Sequence, residues 1–332
     1  MKKSGKSTII QVIVFLGIGI VLIFWQYRSM DPDQRDEMFA AIQQVRLIYF
    51  LPGLLIGFLS HYFRALRWKL LMQPVHIYPA TANSIFAVLI GYLVNALIPR
   101  MGEVAKCTVL AKYEKVPVDK LLGTILAERA FDTVCLLVIF LITLLSQYDI
   151  IAPFAWDLYR KIFFDAAGNF ILMRIVLFVL ACVIVLAASL FFYRKIKDTK
   201  IGKIIARVGD GLKAIVQVRQ KALFLLYTIL IWAMYTMMAI LGFYMLPDMA
   251  GLPWLAGLSI ITFGSVAMII TPGGLGAFPP VVASILLLYG IAQPLGIAYG
   301  WVNWSMQTLI VLLLGIFSLV FLPVYNRKRH VS

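Results

Sequence analysis

Six stretches of the chain stay apolar for twenty residues or more: 8–27, 47–69, 118–147, 171–193, 222–246 and 295–325. About 20 apolar residues in a helix cover the roughly 30 Å hydrocarbon core of a bilayer. Lipid offers the backbone no hydrogen bonds, so runs of this length are helices that satisfy themselves. Composition agrees: 62% of the 332 residues are hydrophobic and 14% charged, against about 25% charged in a soluble domain. Soluble, disordered and fibrous classes are excluded. The longest polar stretch between apolar runs, 194–221, leaves no room in these residues for a soluble catalytic domain. The expected fold is an all-α polytopic membrane protein of about six spanning helices plus two broken helical hairpins.

The first apolar run starts basic, with Lys2, Lys3 and Lys6, as a signal peptide does. It lacks a small-residue cleavage site and reads as a retained helix. The net charge of +15 belongs to loops beside anionic headgroups, and nucleic acid is not an expected partner. Segment 194–221 holds nine Lys and Arg against two acids, whereas 28–46 and 148–174 hold three each, balanced or outnumbered by acids. Basic loops face the cytoplasm, which puts both termini there in a multi-pass cell-membrane protein.

Two further apolar regions, 80–115 and 253–291, are interrupted at Ile98-Pro99-Arg100-Met101-Gly102 and at Thr271-Pro272-Gly273-Gly274-Leu275-Gly276. The orientation makes each begin and end on one side, as a re-entrant hairpin or a pair of crossings. Gly91 and Gly264, Pro99 and Pro272, and Gly123 and Gly296 share one offset, while Glu128 with Asn303 and Asp132 with Gln307 share one two residues longer. The expected organisation is an N-terminal helix and external loop (1–46), a first repeat (47–147), a connecting span and basic amphipathic cytoplasmic segment (148–221), an inverted second repeat (222–325) and a basic tail (326–332). Interrupted helices at matching places of inverted repeats point to a central transport site.

Charges within apolar sequence carry the strongest signal. Glu128, Arg129 and Asp132 fall 10–14 residues into 118–147, roughly 15–21 Å along a helix. Each costs a few kcal/mol in lipid, so each should face a partner or water. Arg100, Glu103 and Lys106, at and beyond the first break, are the expected partners, and the six charges sum to zero. This is either a structural ion-pair network or a headgroup or ion pathway. Gly273, Gly274 and Gly276 are either a tight hairpin tip or a turn whose free amides hold a phosphate. Asn303 and Gln307 share a helix face, as uncharged counterparts of Glu128 and Asp132 or as polar contacts between helices. Arg64, Arg67 and Trp68 read as an interfacial headgroup anchor.

No catalytic residue, metal site or cofactor is expected. Cys107, Cys135 and Cys182 fit no metal spacing, His61, His76 and His330 are scattered, and nucleotide and nucleophile motifs are missing.

The pattern Asn95-x-x-x-Pro99-Arg100-x-Gly102-Glu103, then Glu128-Arg129-x-x-Asp132, then Pro272-Gly273-Gly274-x-Gly276 resembles the lysylphosphatidylglycerol synthase transmembrane region, or flippase-like domain, family, which includes YbhN-like integral membrane proteins. Arg64-x-x-Arg67-Trp68-x-x-Leu71 fits it too. Where the family often has a Glu after its last turn glycine, this chain has Ala277-Phe278-Pro279-Pro280. The resemblance implies lipid translocation between leaflets without lipid synthesis. The implied partners are membrane lipids, foremost an anionic or aminoacylated phospholipid, and a separate lipid synthase. A membrane-embedded lipid-modifying enzyme using Glu128 and Asp132, or a non-catalytic partner of a synthase, are the alternatives.

Overall fold

In the computed structural model, residues 4–98, 101–150 and 217–329 are described, with isolated positions between 152 and 180. Regular structure among them is helical. The expected span 171–193 and the basic segment up to 216 fall almost wholly outside the described residues, as do Pro99 and Arg100.

Helix α1 covers Ser4–Ser29 and α2 Pro32–Gln43. Between them Asp31 and Gln34 form a reciprocal capping box, and Pro32 opens α2 where no intrahelical N–H is needed. Helix α3, Phe50–Met72, follows a short 3₁₀ turn. It ends in a second such turn closed by His76 in the left-handed region. Next come α4, Thr81–Leu97, and α5, Gly102–Glu114. Lys115 at positive φ then turns the chain into α6, Val118–Ser146. The second set contains α7, Lys221–Met245, α8, Trp254–Ile270, the 3₁₀ turn Pro272–Gly274, α9, Phe278–Leu287, and α10, Gln293–Arg329.

Three described helical stretches, Leu47–Val75, Lys221–Met245 and Gln293–Arg327, are long and apolar enough to cross a membrane. Helix α6 has the length, 29 residues, but it carries Asp119, Lys120, Glu128, Arg129 and Asp132. Helices α4, α5, α8 and α9 have 17, 13, 17 and 10 residues. At 1.5 Å per residue each falls short of 30 Å. The two short helices of each pair pack against each other.

The packing follows one scheme in both sets. Helix α4 lies against α3 and α5, and α6 against α3 and α5. In the same way α8 lies against α7 and α9, and α10 against α7 and α9. Across the sets α3 packs along α7, α4 lies on α10, and α8 lies on α6. Each set buries its own core. Trp68, Val88, Leu110 and Leu121 meet in the first, and Phe243, Ile260, Val282 and Tyr299 in the second. Outward-facing Leu137, Leu141, Leu225, Ile229, Ile316 and Val320 are exposed, as lipid-facing positions should be.

The first hairpin closes at glycine. A Cβ on Gly102 would stand 2.3 Å from the Gly91 carbonyl oxygen, so the α4 and α5 backbones touch there and admit no side chain. In the second hairpin, Gly273, Gly274 and Gly276 all take positive φ. That conformation costs an L side chain about 1–2 kcal/mol. The Pro272–Gly274 turn packs against α4, so the second tip reaches the first hairpin.

Candidate functional site

Two rows of charge face each other between α3 and α6. Arg64 and Arg67 lie one helical turn apart on α3, and Glu128 and Asp132 lie one turn apart on α6, so each pair shares a face. Arg64 Nη1 donates to Glu128 Oε1 at 3.0 Å and to Asp132 Oδ2 at 2.9 Å, and its Nη2 donates to the Tyr235 hydroxyl at 2.9 Å. Arg67 Nη2 donates to Asp132 Oδ1 at 2.6 Å, and its Nη1 to Thr228 Oγ1 at 3.3 Å. From α5, Lys106 Nζ donates to Glu128 Oε2 at 2.9 Å while lying 4.0 Å from the centre of the Trp68 ring. Trp68 is fixed in turn by its indole N–H, which donates to Thr124 Oγ1 at 2.8 Å.

The side chains of Arg67 and Glu128 are fully buried, and Asp132 is 14% exposed. Arg129 differs. Its Nη2 is 3.5 Å from Glu128 Oε1, and 43% of the side chain is exposed. All four carboxylate oxygens therefore have cationic partners. Four cations meet these two carboxylates, and with Glu103 at the adjoining cleft the described residues keep an excess of one positive charge. An uncompensated charge in a low-dielectric setting is costly and attracts an anion. A cleft of about 50 Å³ adjoins the cluster, bordered by Tyr92, Asn95, Glu103, Lys106 and Arg129 and by the Gly91–Gly102 contact. That is roughly two water volumes.

A family described as the lysylphosphatidylglycerol synthase transmembrane region matches residues 9–326. The chain belongs to this family. A UPF0104 membrane protein of Pyrococcus horikoshii is 20% identical over 349 residues, covering 97% of this chain and 98% of the relative. A UPF0104 membrane protein of Methanothermobacter thermautotrophicus is 23% identical over 156 residues, 45% of this chain and 43% of the relative. The chain thus spans less than half the length of the second of these relatives and nearly all of the first. No solved structure matches.

Within this family member, the expected site residues divide into three groups. Lys106, Glu128, Arg129 and Asp132 come together, with Glu103 at the edge of the cleft. Arg100 lies outside the described residues. Of the expected partners, Lys106 holds Glu128, and Arg64 and Arg67, which were not among them, supply the other hydrogen-bonded ion pairs of Glu128 and Asp132. Arg64, Arg67 and Trp68 were assigned to the interface, yet they are buried at 4%, 0% and 0% relative exposure. An arginine inside an apolar run, one turn from another and facing carboxylates on a second helix, gains more from ion pairing than from snorkelling to the headgroups.

The second group is the glycine turn. Its Gly273 carbonyl accepts a hydrogen bond from Trp304 Nε1 at 2.7 Å. Its Gly276 faces Leu22 and the Gly19 carbonyl of α1. Helix α9 begins at Phe278, two residues beyond the last glycine. The third group is Asn303 and Gln307, which bond to each other and not to the charged cluster. Asn303 is fully buried, and its Nδ2 donates to the Tyr299 hydroxyl at 2.9 Å. Tyr299 in turn donates to the Ala239 carbonyl at 2.7 Å, which ties α10 to α7.

Sequence reasoning did not single out Tyr92, Thr228 or Tyr235. The only signal for them is a hydroxyl within an apolar run, which is common in membrane helices. Among the described residues no three His, Cys, Asp or Glu side chains converge as metal ligands do.

Proposed function

We propose that this protein moves a phospholipid or related lipid between leaflets of the cell membrane, with both termini cytoplasmic and the two helix sets acting as inverted repeats. One observation carries the reading. A buried charge cluster whose carboxylate oxygens are all paired sits about 15–21 Å along α6, and its surplus positive charge is presented to a cleft through the exposed Arg129. A lipid phosphate is the anion such a cleft suits, since Arg offers several donors in one plane. Acyl chains would remain in the bilayer beside the apolar outer faces.

The same geometry argues against the enzymatic alternative. A general base needs a carboxylate oxygen free to take a proton, and those of Glu128 and Asp132 are held by Arg64, Arg67 and Lys106. In this reading Glu128 and Asp132 hold the arginines in place and do not themselves meet substrate. Gly273, Gly274 and Gly276 shape the second tip where it meets the first hairpin.

The test is leaflet exchange of phosphatidylglycerol and aminoacyl phospholipids in proteoliposomes, followed by outer-leaflet quenching and by mass analysis of the lipids. Exchange that Arg129→Gln suppresses, with no new lipid species, is the expected result. A new covalent lipid product would replace the transport reading with the enzymatic one.

A further inference from the structure

At each end of the helix pair α6 and α10, a polar triad with two buried members and one half-buried member ties the base of one hairpin to the long helix of the other set. In the first triad Asn83, at the start of α4, donates to Glu114 Oε1 at the end of α5, at 2.6 Å. Asn83 also exchanges a reciprocal pair of amide hydrogen bonds with Asn326 on α10, at 2.9 and 2.7 Å. In the second triad Ser259, near the start of α8, donates to Gln147 Oε1 at the end of α6, at 2.9 Å. Tyr289, just beyond α9, also donates to Gln147 Oε1 and lies 2.8 Å from the Ser259 hydroxyl. Gln147 Nε2 donates to the Leu255 carbonyl at 3.1 Å.

The triads correspond position for position. Asn83 and Ser259 stand 176 residues apart, Glu114 and Tyr289 175, and Gln147 and Asn326 179. They sit on opposite sides of the molecule. Helix α6 starts at Val118, just after Glu114, and delivers Gln147 to the far end, a rise of about 43 Å. Helix α10 starts just after Tyr289 and returns Asn326 to the first end, about 50 Å away. The charged cluster and its cleft lie between.

We propose that these two triads are alternate gates, a reading that rests on the translocation proposed above. Releasing Asn326 frees the base of the first hairpin from α10 while Gln147 still holds the second hairpin on α6. The cleft then opens toward the first face only. Releasing Gln147 does the converse. The polar bonds make each closure a discrete state, because buried amides and hydroxyls must be paired or wet.

The test uses a reporter, Asn95→Cys, lining the cleft in a protein whose Cys107, Cys135 and Cys182 are replaced by Ala. A membrane-impermeant maleimide is applied to right-side-out and to inverted vesicles. Asn326→Leu should raise labelling about tenfold, the effect of losing two buried hydrogen bonds, from the first-triad face alone. Gln147→Leu should do so from the opposite face alone. Labelling raised from the same face by both, or changed by neither, would overturn the gates.

A second arm does not rely on those variants folding well. Bimane cross-links are placed between Asn83→Cys and Asn326→Cys, or between Gln147→Cys and Ser259→Cys. Either should stop leaflet exchange in proteoliposomes, and exchange at the unlinked rate would again overturn the proposal. If the unlinked protein exchanges no lipid, translocation itself fails, and one-sided labelling still decides the gates.

Discussion

The Arg67 guanidinium meets the Asp132 carboxylate at 2.6 Å, joining α3 to α6 across 65 residues of sequence. Arg67 is fully buried and Asp132 nearly so. Removing one partner from a buried pair costs about 3–5 kcal/mol, here nearer the lower figure, because Asp132 keeps Arg64 and Arg67 keeps Glu128. Arg67→Leu and Asp132→Asn should each lower stability by about that amount in unfolding from nanodiscs. The double variant should lose less than the sum, by about 0.5–3 kcal/mol of coupling. Additive losses would mean that the contact carries no energy of its own.

Arg129 predicts the opposite division between stability and activity. Its ion pair is long and its side chain half open, and exposed pairs contribute about 0–1 kcal/mol. Arg129→Gln should therefore keep the thermal midpoint of the parent while lowering lipid exchange by about tenfold, the loss of roughly one charge-assisted phosphate contact. Arg129→Lys should restore part of it. Full exchange in Arg129→Gln would remove Arg129 from the lipid path.

How much of this was legible in the sequence follows from what local pattern can encode. Apolar run lengths gave α3, α7 and α10, and the Pro and Gly breaks gave both hairpin tips. Glu128 and Asp132 stood out because a carboxylate within an apolar run has few structural excuses. Arg64 and Arg67 stood out less, because a basic residue near the end of a span has a cheap local explanation in snorkelling. Only the long-range pairing of α3 with α6 distinguishes the two cases. Asn83, Glu114, Gln147 and Tyr289 carry no local signal, since their partners lie 30 to 243 residues away.

The glycine turn separates two costs. Gly273 and Gly276 both have positive φ, but a Cβ at Gly273 meets open space, whereas one at Gly276 would lie 2.8 Å from Leu22 Cβ and 2.9 Å from the Gly19 oxygen. Gly273→Ala should cost about 1–2 kcal/mol, the left-handed penalty alone. Gly276→Ala should cost about 1–3 kcal/mol more from overpacking against α1. Thermal unfolding of the two variants side by side checks this. Equal midpoints would show that α1 does not close over the turn.

Asn303 tests whether the neutral pair on α10 belongs to the lipid path or to the scaffold. Its amide bonds to the Tyr299 hydroxyl and to Gln307, with no contact to Glu128 or Asp132. Tyr299 keeps its own bond to the Ala239 carbonyl when Asn303 is replaced, while the half-buried Gln307 Nε2 loses its acceptor. Asn303→Leu should thus cost about 1–3 kcal/mol for the hydrogen bonds to Tyr299 and Gln307, with lipid exchange per folded molecule equal to the parent. Loss of exchange at unchanged stability would instead move Asn303 into the path, and would place the second half of the site on α10 facing α7.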